Sequence, residues 1–314
     1  MVTYAALCLN PKIFPALTGL CLQEFDCLFG EVVAADQRRT ASTTTTKDGQ
    51  PRQRAVGAGR HPDHDLRDRL LMTLFWLRVY PSYSLLGWLF GLDKANAWRN
   101  VQDTLALLDT LPDFPFDRPP RERKKVRTAG ELFEEFPEVQ LIVDAKEQPF
   151  RRPDGWDNQK AFYSGKKKQH TIKYQVGVTP EGRVGSVSVS VPGSVHDLTL
   201  LRGSGLLDRL EEGEGVLTDK AYLGADEGRP GLRVVLPFKR PPKGALTRSQ
   251  KGYNRRVSRR RVQVEHVLAQ FSRFQALRQR FRGIMGRHSR AVRVAALLVD
   301  RRIEANLNNP KKTG

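Results

Sequence analysis

The sequence predicts a two-part α/β protein, a mixed sheet with flanking helices preceded by a small all-α unit. Three observations predict it. Apolar residues at helical spacing (Leu66, Leu70, Leu71, Leu74, Phe75, Leu77) dominate the first third. Strand-like runs, Leu141–Val143 and the alternating VGSVSVSV of 184–191, begin only after residue 138. Between them lies LPDFPFDRPPRERKKVR (111–127), rich in proline and then in charge, which reads as a linker.

At 314 residues, 39% of them apolar, the chain is long enough to bury a real core. Its formal net charge is +19. The charge is clustered, which points to a polyanionic partner, since each Lys or Arg placed on a phosphate releases counterions. Cys8, Cys21 and Cys27 have no CxxC spacing and an odd count. A disulfide framework and a zinc site are therefore not expected, and a reducing, cytoplasmic setting is. Neither a secretory signal nor a membrane span is expected. No Walker loop and no GxGxxG appears, so ATP and nicotinamide cofactors have no support.

In chain order, residues 1–36 read as one or two short helices, the second opening at Thr18 with Leu20, Leu22, Phe25, Leu28 and Phe29 on one side. Residues 37–60, rich in Thr, Gly and Arg, read as a linker or basic arm. HPDHD (61–65) reads as a polar lead-in to a helix that stops before Pro81. A short helix from Ser82 to Phe90 ends at Gly91, suited to a left-handed cap, and a third opens at Asp93 and runs to about Leu108. These lengths match a helix-turn-helix whose last helix presents Lys94, Asn96, Arg99, Asn100 and Gln102 outward, types that bond phosphates and base edges. Arg121, Arg123, Lys124, Lys125 and Arg127 give the following linker its charge.

A strand over 139–144 runs into Asp144; a basic loop, a strand over 170–178, a turn at Thr179–Gly182 and a strand over 183–191 follow. After PGSVHD comes a helix from Leu198, with Asp197 expected as its cap. Val216–Asp219 is a short strand that again ends in an acid, and Leu232–Leu236 a further strand. Long helices are expected over 254–282 and 289–306. This is the order of a ribonuclease H-like fold, in which two strand-end carboxylates and one from a later helix meet. Asp144, Asp219 and Glu265 are the candidates. Glu265 lies at the border of a stripe formed by Val262, Leu268 and one or both of Val264 and Val267, where burial would need a pairing partner or a metal. Three gathered acids suit magnesium, which takes oxygen ligands and keeps waters. Two ions about 3.5–4 Å apart assist both the attacking and the leaving oxygen in phosphoryl transfer.

DAKEQPFRRP, QKAFYSGKKKQHTIKYQV, PGSVHDLTLL, LTDKAYLG and RRVQVEHVLAQFSRF, in that order, resemble the DDE transposases of bacterial insertion sequences, in the group related to the eukaryotic PIF/Harbinger transposases. RLLMTLFWLRVYPSYSLLGWLFGLDKANAWRNV resembles that group's DNA-binding segment. The resemblance covers roughly residues 10–305. It implies a catalytic triad of Asp144, Asp219 and Glu265 on two Mg²⁺ ions (Mn²⁺ as substitute), binding of terminal inverted repeats, and cut-and-paste movement. Water first hydrolyses a phosphodiester at the element end, and the freed 3′-hydroxyl then attacks target DNA. It also implies a homo-oligomer, at least a dimer on double-stranded DNA, in the bacterial cytoplasm and associated with the nucleoid. Members commonly carry a Lys in the helix after the catalytic Glu; here Ser272 and Arg273 stand near that place, and Arg273 is the candidate phosphate contact.

Further expected DNA contacts are Lys166, Lys167 and Lys168 of the GKKKQH run, and Arg259 and Arg261 before Glu265. Trp156, Phe162 and Tyr163 are expected to pack; Glu147 and Asp154 are read as structural acids. The expected divisions are 1–60 (N-terminal helices and basic linker), 61–110 (helix-turn-helix), 111–136 (basic linker), 137–306 (catalytic domain) and 307–314 (tail). A non-catalytic DNA-binding regulator and a metal-dependent nuclease without strand transfer are the alternatives.

Overall fold

The computed structural model describes residues 1–42, 63–112, 114 and 136–308. Most of both expected linkers, including Arg121, Arg123, Lys124, Lys125 and Arg127, and the tail from 309 lie outside the described residues. The chain forms two compact units, Met1–Asp113 with Arg273–Ala276, and Phe114–Ser272 with Leu277–Gly314.

The first unit is helical: α1 (Tyr4–Leu7), α2 (Phe14–Thr18), α3 (Leu22–Ser42), α4 (Leu66–Val79), α5 (Tyr83–Phe90) and α6 (Lys94–Leu108). Two expectations at its start are corrected. Thr18 closes α2, its hydroxyl donating to the Phe14 carbonyl, because Gly19 at φ 85° turns the chain there. Helix α3 then runs to Ser42, past the expected start of the linker, on a buried stripe of Phe25, Leu28, Val32 and Ala35. The next three helices follow the sequence closely. Asp65, Ser82 and Asp93 each accept a backbone N–H at the start of α4, α5 and α6. Gly91 takes the left-handed conformation that ends α5. His64, buried, bonds the Phe90 carbonyl at 2.7 Å, so the HPDHD stretch is a structural lead-in as read, its His61 lying outside the described residues.

The second unit is a mixed sheet covered on both faces. Its elements are β1 (Val139–Pro149), α7 (Trp156–Phe162), β2 (Tyr163–Ser164), β3 (Gln169–Val178), β4 (Val184–Val187), β5 (Val191–Pro192), α8 (Asp197–Gly203), β6 (Gly215–Leu217), β7 (Arg233–Val235), α9 (Arg248–Phe271) and α10 (Met285–Asn308). The order is β2-β3-β1-β6-β7, with β4 and β5 also on β3; β3 runs antiparallel to β1, whereas β6 is parallel to it. Leu141, Ile142 and Val143 are fully buried on both sides because helices pack on both faces. One layer, under α8, collects Leu141, Val143, Leu201, Val216 and Tyr222. The result is the expected ribonuclease H-like arrangement: in chain order, a helix-turn-helix and then a mixed sheet with flanking helices.

Some boundaries move. The alternating run 183–191 is not one strand: it breaks between β4 and β5, where the Ser188 hydroxyl accepts from the Gln175 N–H and Ser190 turns to His288. Helix α9 starts earlier than expected, at the capping box of Thr247 and Gln250, and stops at Phe271 instead of running to 282.

Candidate active site

Two acids meet because of strand register. Ile142 on β1 pairs with Leu217 on the parallel β6, and each lies two residues before an aspartate. Asp144 and Asp219 therefore stand at the same level at the end of β6, where β1 runs on beyond it. The Asp144 side chain is only 20% exposed. Its Oδ1 accepts from the Ala145 N–H at 2.9 Å and its Oδ2 lies 3.4 Å from Arg261 Nη2. Burial raises the Asp144 pKa; Arg261 and the Ala145 N–H oppose that, while Asp219 and then Asp197 add to it. Asp219 accepts from the Ala221 N–H at 2.8 Å and caps the short turn Lys220–Tyr222.

The third expected acid sits differently. Helix α9 buries Val257, Arg260, Val264, Val267, Leu268 and Phe271, so Val262 and Glu265 face outward. The expected core position of Val262 is thus corrected, and the Glu265 side chain is 56% exposed, not buried. Arg261, one turn before it, links the acids: its Nη2 is 3.4 Å from Asp144 and 3.9 Å from Glu265.

In kind, this donor set suits a hard divalent cation: oxygen ligands on rigid elements, and one desolvated carboxylate whose charge calls for compensation. Among the described residues, no three His, Cys, Asp or Glu side chains are grouped to hold an ion as they stand. Arg261 is the cation against Asp144 in this arrangement.

The other sequence candidates fall into four places. On α6, Lys94 and Arg99 are exposed, Asn96 bonds Asp93 and receives Arg99 Nη1, and Asn100 bonds the Asn96 carbonyl. Gln102 reaches the Tyr83 hydroxyl at 3.3 Å. Lys166, Lys167 and Lys168 are exposed at the tip between β2 and β3, where backbone and side-chain bonds to Ser164 fold the turn. Arg259 is exposed on α9, whereas its neighbour Arg260 is buried. Arg273 lies past the helix end, exposed, with its carbonyl accepting from Arg78. Of the aromatic trio, Phe162 stacks on Phe150 as expected, but Trp156 is 78% exposed and does not pack.

Sequence reasoning missed three neighbours of the acids. Lys146 shares a strand face with Asp144, and its Nζ donates to the Leu268 carbonyl and the Ser272 hydroxyl, so a lysine from β1 occupies the end of α9. Burial lowers its pKa to about 8. Lys173, on β3, lies 2.7 Å from Asp197 and 3.8 Å from Glu147. Asp197 is the first residue of α8 but does not cap it, since the cap position is His196, without a side-chain bond; the expected capping role is corrected. Tyr222 is the third. Only the alternation in DAK, and an aromatic three residues beyond Asp219, carried any signal of Lys146 and Tyr222.

Residues 143–300 match the family described as DDE superfamily endonuclease, and residues 65–113 match the helix-turn-helix of DDE superfamily endonuclease. The chain is 27% identical over 282 residues to a probable transposase for insertion sequence element IS702 of Microchaete diplosiphon, covering 90% of each chain. Among the described residues, no helix is long and apolar enough to cross a membrane.

Proposed function

The chain belongs to the DDE superfamily endonucleases, and from that premise we propose that it is an insertion-sequence transposase that binds terminal inverted repeats, cleaves the element ends and joins them to target DNA. The observation that carries this reading is the register Ile142–Leu217, which sets Asp144 and Asp219 side by side at the open end of β6.

Asp144, Asp219 and Glu265 would hold two Mg²⁺ ions, with Mn²⁺ as a substitute, and that group would supply Lewis-acid assistance to both the attacking and the leaving oxygen. The chain's own residues do the rest. Asp144 and Asp219 are fixed by backbone N–H groups, so their carboxylates need little reorganisation. Glu265, exposed and one turn from Arg261, is free to swing on α9. Arg261 then exchanges its carboxylates for DNA phosphate, which a guanidinium binds in a bidentate manner. Lys166, Lys167, Lys168, Arg259 and Arg273 hold the backbone, and Lys94, Asn96, Arg99 and Asn100 face the duplex from α6. Two ends must be cut together, which calls for at least a dimer on double-stranded DNA.

Purified protein with labelled element ends and Mg²⁺ tests the reading. Cleavage and joining by the parent, both lost in Asp219→Ala, are expected. Binding without cleavage would make the chain a regulator; cleavage without joining would make it a nuclease. An Asp219→Ala protein that cleaves as fast as the parent removes Asp219 from the centre.

A further inference from the structure

Helix α9 meets β1 through two polar contacts along one stripe. Arg261, Glu265, Leu268 and Ser272 follow one another at spacings of four, three and four residues, which a helix sets on one side. Asp144 and Lys146, two residues apart on β1, share the strand face turned toward that helix. At one end of the stripe Asp144 Oδ2 lies 3.4 Å from Arg261 Nη2. At the other, Lys146 Nζ donates to the Leu268 carbonyl at 3.1 Å and to the Ser272 hydroxyl. Glu265 stands between the two contacts.

Lysine is a costly choice at position 146. Tyr174, its partner in the strand pairing, is fully buried and stacks on Phe271 of α9. An apolar side chain would pack there without taking a charge out of water. The ammonium is held by a carbonyl and a hydroxyl, and among the described residues no carboxylate forms an ion pair with it. What the lysine supplies is a tie to a helix end: a cation that donates to last-turn carbonyls complements the helix dipole. This one comes from the strand that carries Asp144. DNA acts differently on the two contacts. Arg261 is the guanidinium that turns to phosphate in the reading above, which frees its end of the stripe, whereas Lys146, partly buried, keeps its hold.

We propose that Lys146 is a positioning residue: by anchoring the last turn of α9 to β1, it sets the place of Glu265 relative to Asp144 for the divalent cation they hold together. The inference rests on the metal assignment proposed above. Anchoring and simple electrostatics predict opposite signs. Deleting a positive charge beside a carboxylate centre tightens a bound cation; deleting an anchor loosens it.

The test is Mn²⁺ binding to the full chain by calorimetry, with the thermal midpoint of the metal-free protein measured alongside. Lys146→Met keeps an aliphatic stem and removes the donors. It is expected to weaken Mn²⁺ about tenfold, as loss of an outer partner of a metal site does. Lys146→Arg, which restores a cation, is expected to recover part of the affinity. Ser272→Ala, which leaves the Leu268 carbonyl in place, is expected to lose less. In a Glu265→Gln background Lys146→Met is expected to add nothing, because its effect runs through Glu265. If Asp144→Asn loses Mn²⁺ but Lys146→Met binds it like the parent or tighter, whatever its midpoint, this inference is overturned and the metal assignment stands. Additive losses in the double variant overturn it as well, since the effect then bypasses Glu265. Should Lys146→Met fail to fold, Ser272→Ala decides, and parental affinity there overturns the anchor. A parent with no Mn²⁺ response, or an Asp144→Asn protein that binds like the parent, overturns the metal assignment and this inference with it.

Discussion

His288 shows how a single buried residue ties the fold to pH. Its Nδ1 is 2.6 Å from the Ser190 hydroxyl and its Nε2 is 2.8 Å from Gln148 Oε1; Gln148 in turn donates to the Gln279 carbonyl. A neutral imidazole satisfies both contacts, accepting from Ser190 and donating to Gln148. Burial lowers its pKa from 6.5 to about 3. Between those values the unfolded chain binds a proton that the folded chain refuses. The His288 contribution is therefore complete above pH 6.5 and falls as pH drops toward 3, by up to about 1.4 kcal/mol per pH unit. Denaturant midpoints measured from pH 7 to 4 are expected to show this slope, and His288→Gln to lose part of it. An unchanged slope in the variant would place the titration elsewhere. None of this was legible in the sequence, where His288 sits in an ordinary basic stretch, GRHSR. Asp144 and Asp219, by contrast, were legible because each ends an apolar run. Lys146 and Asp197 were not, since what defines them is a partner over 120 residues away in one case and on strand β3 in the other.

Among the elements, the segment from β5 into α8 is tightly specified. A Cβ on Gly193 would lie 1.8 Å from Thr171 Oγ1 and 2.9 Å from the Thr171 carbonyl. Glycine is required there for close approach, not for a left-handed backbone. Gly193→Ala is expected to push β5 off β3, costing about 1–3 kcal/mol as overpacked sites do. The check is the denaturant midpoint; a fold as stable as the parent would mean the neighbouring Thr171 side chain yields freely. Helix α9 carries the complementary lesson. Its apolar spacing predicted a helix, but Val262 and Val264 are two residues apart and cannot share one face. The capping box at Thr247 and the burial of Arg260 settle the rotation, turning Val262 and Glu265 outward. The alternation of 184–191 misled for a related reason: period two is equally compatible with a strand that breaks once its serines find other partners.

For the whole molecule the governing quantity is charge. A net +19 gives any polyanion a strong, sequence-independent attraction, which screening by salt removes. The cationic tip Lys166–Lys168 and the helix-turn-helix match at 65–113 therefore predict separable behaviour toward the proposed DNA. The tip is exposed, folded by Ser164 and presents only ammonium groups, which bind phosphate as point charges and read no base. Replacing all three lysines with Gln should weaken binding to every duplex alike and flatten the slope of log K against log salt by about 0.9 for each lysine that meets a phosphate. Preference for the element end over random duplex should stay as in the parent. Arg99→Ala on α6 should do the reverse where it meets a base edge, lowering that preference with a smaller change in slope. Fluorescence titrations over a range of salt, with both duplexes and both variants, measure the two effects together. A triple variant with the parental slope would exclude the tip from the DNA path. One that loses preference as well as slope would mean that the tip and α6 act as a single reader, and the division of labour by chemistry would fail.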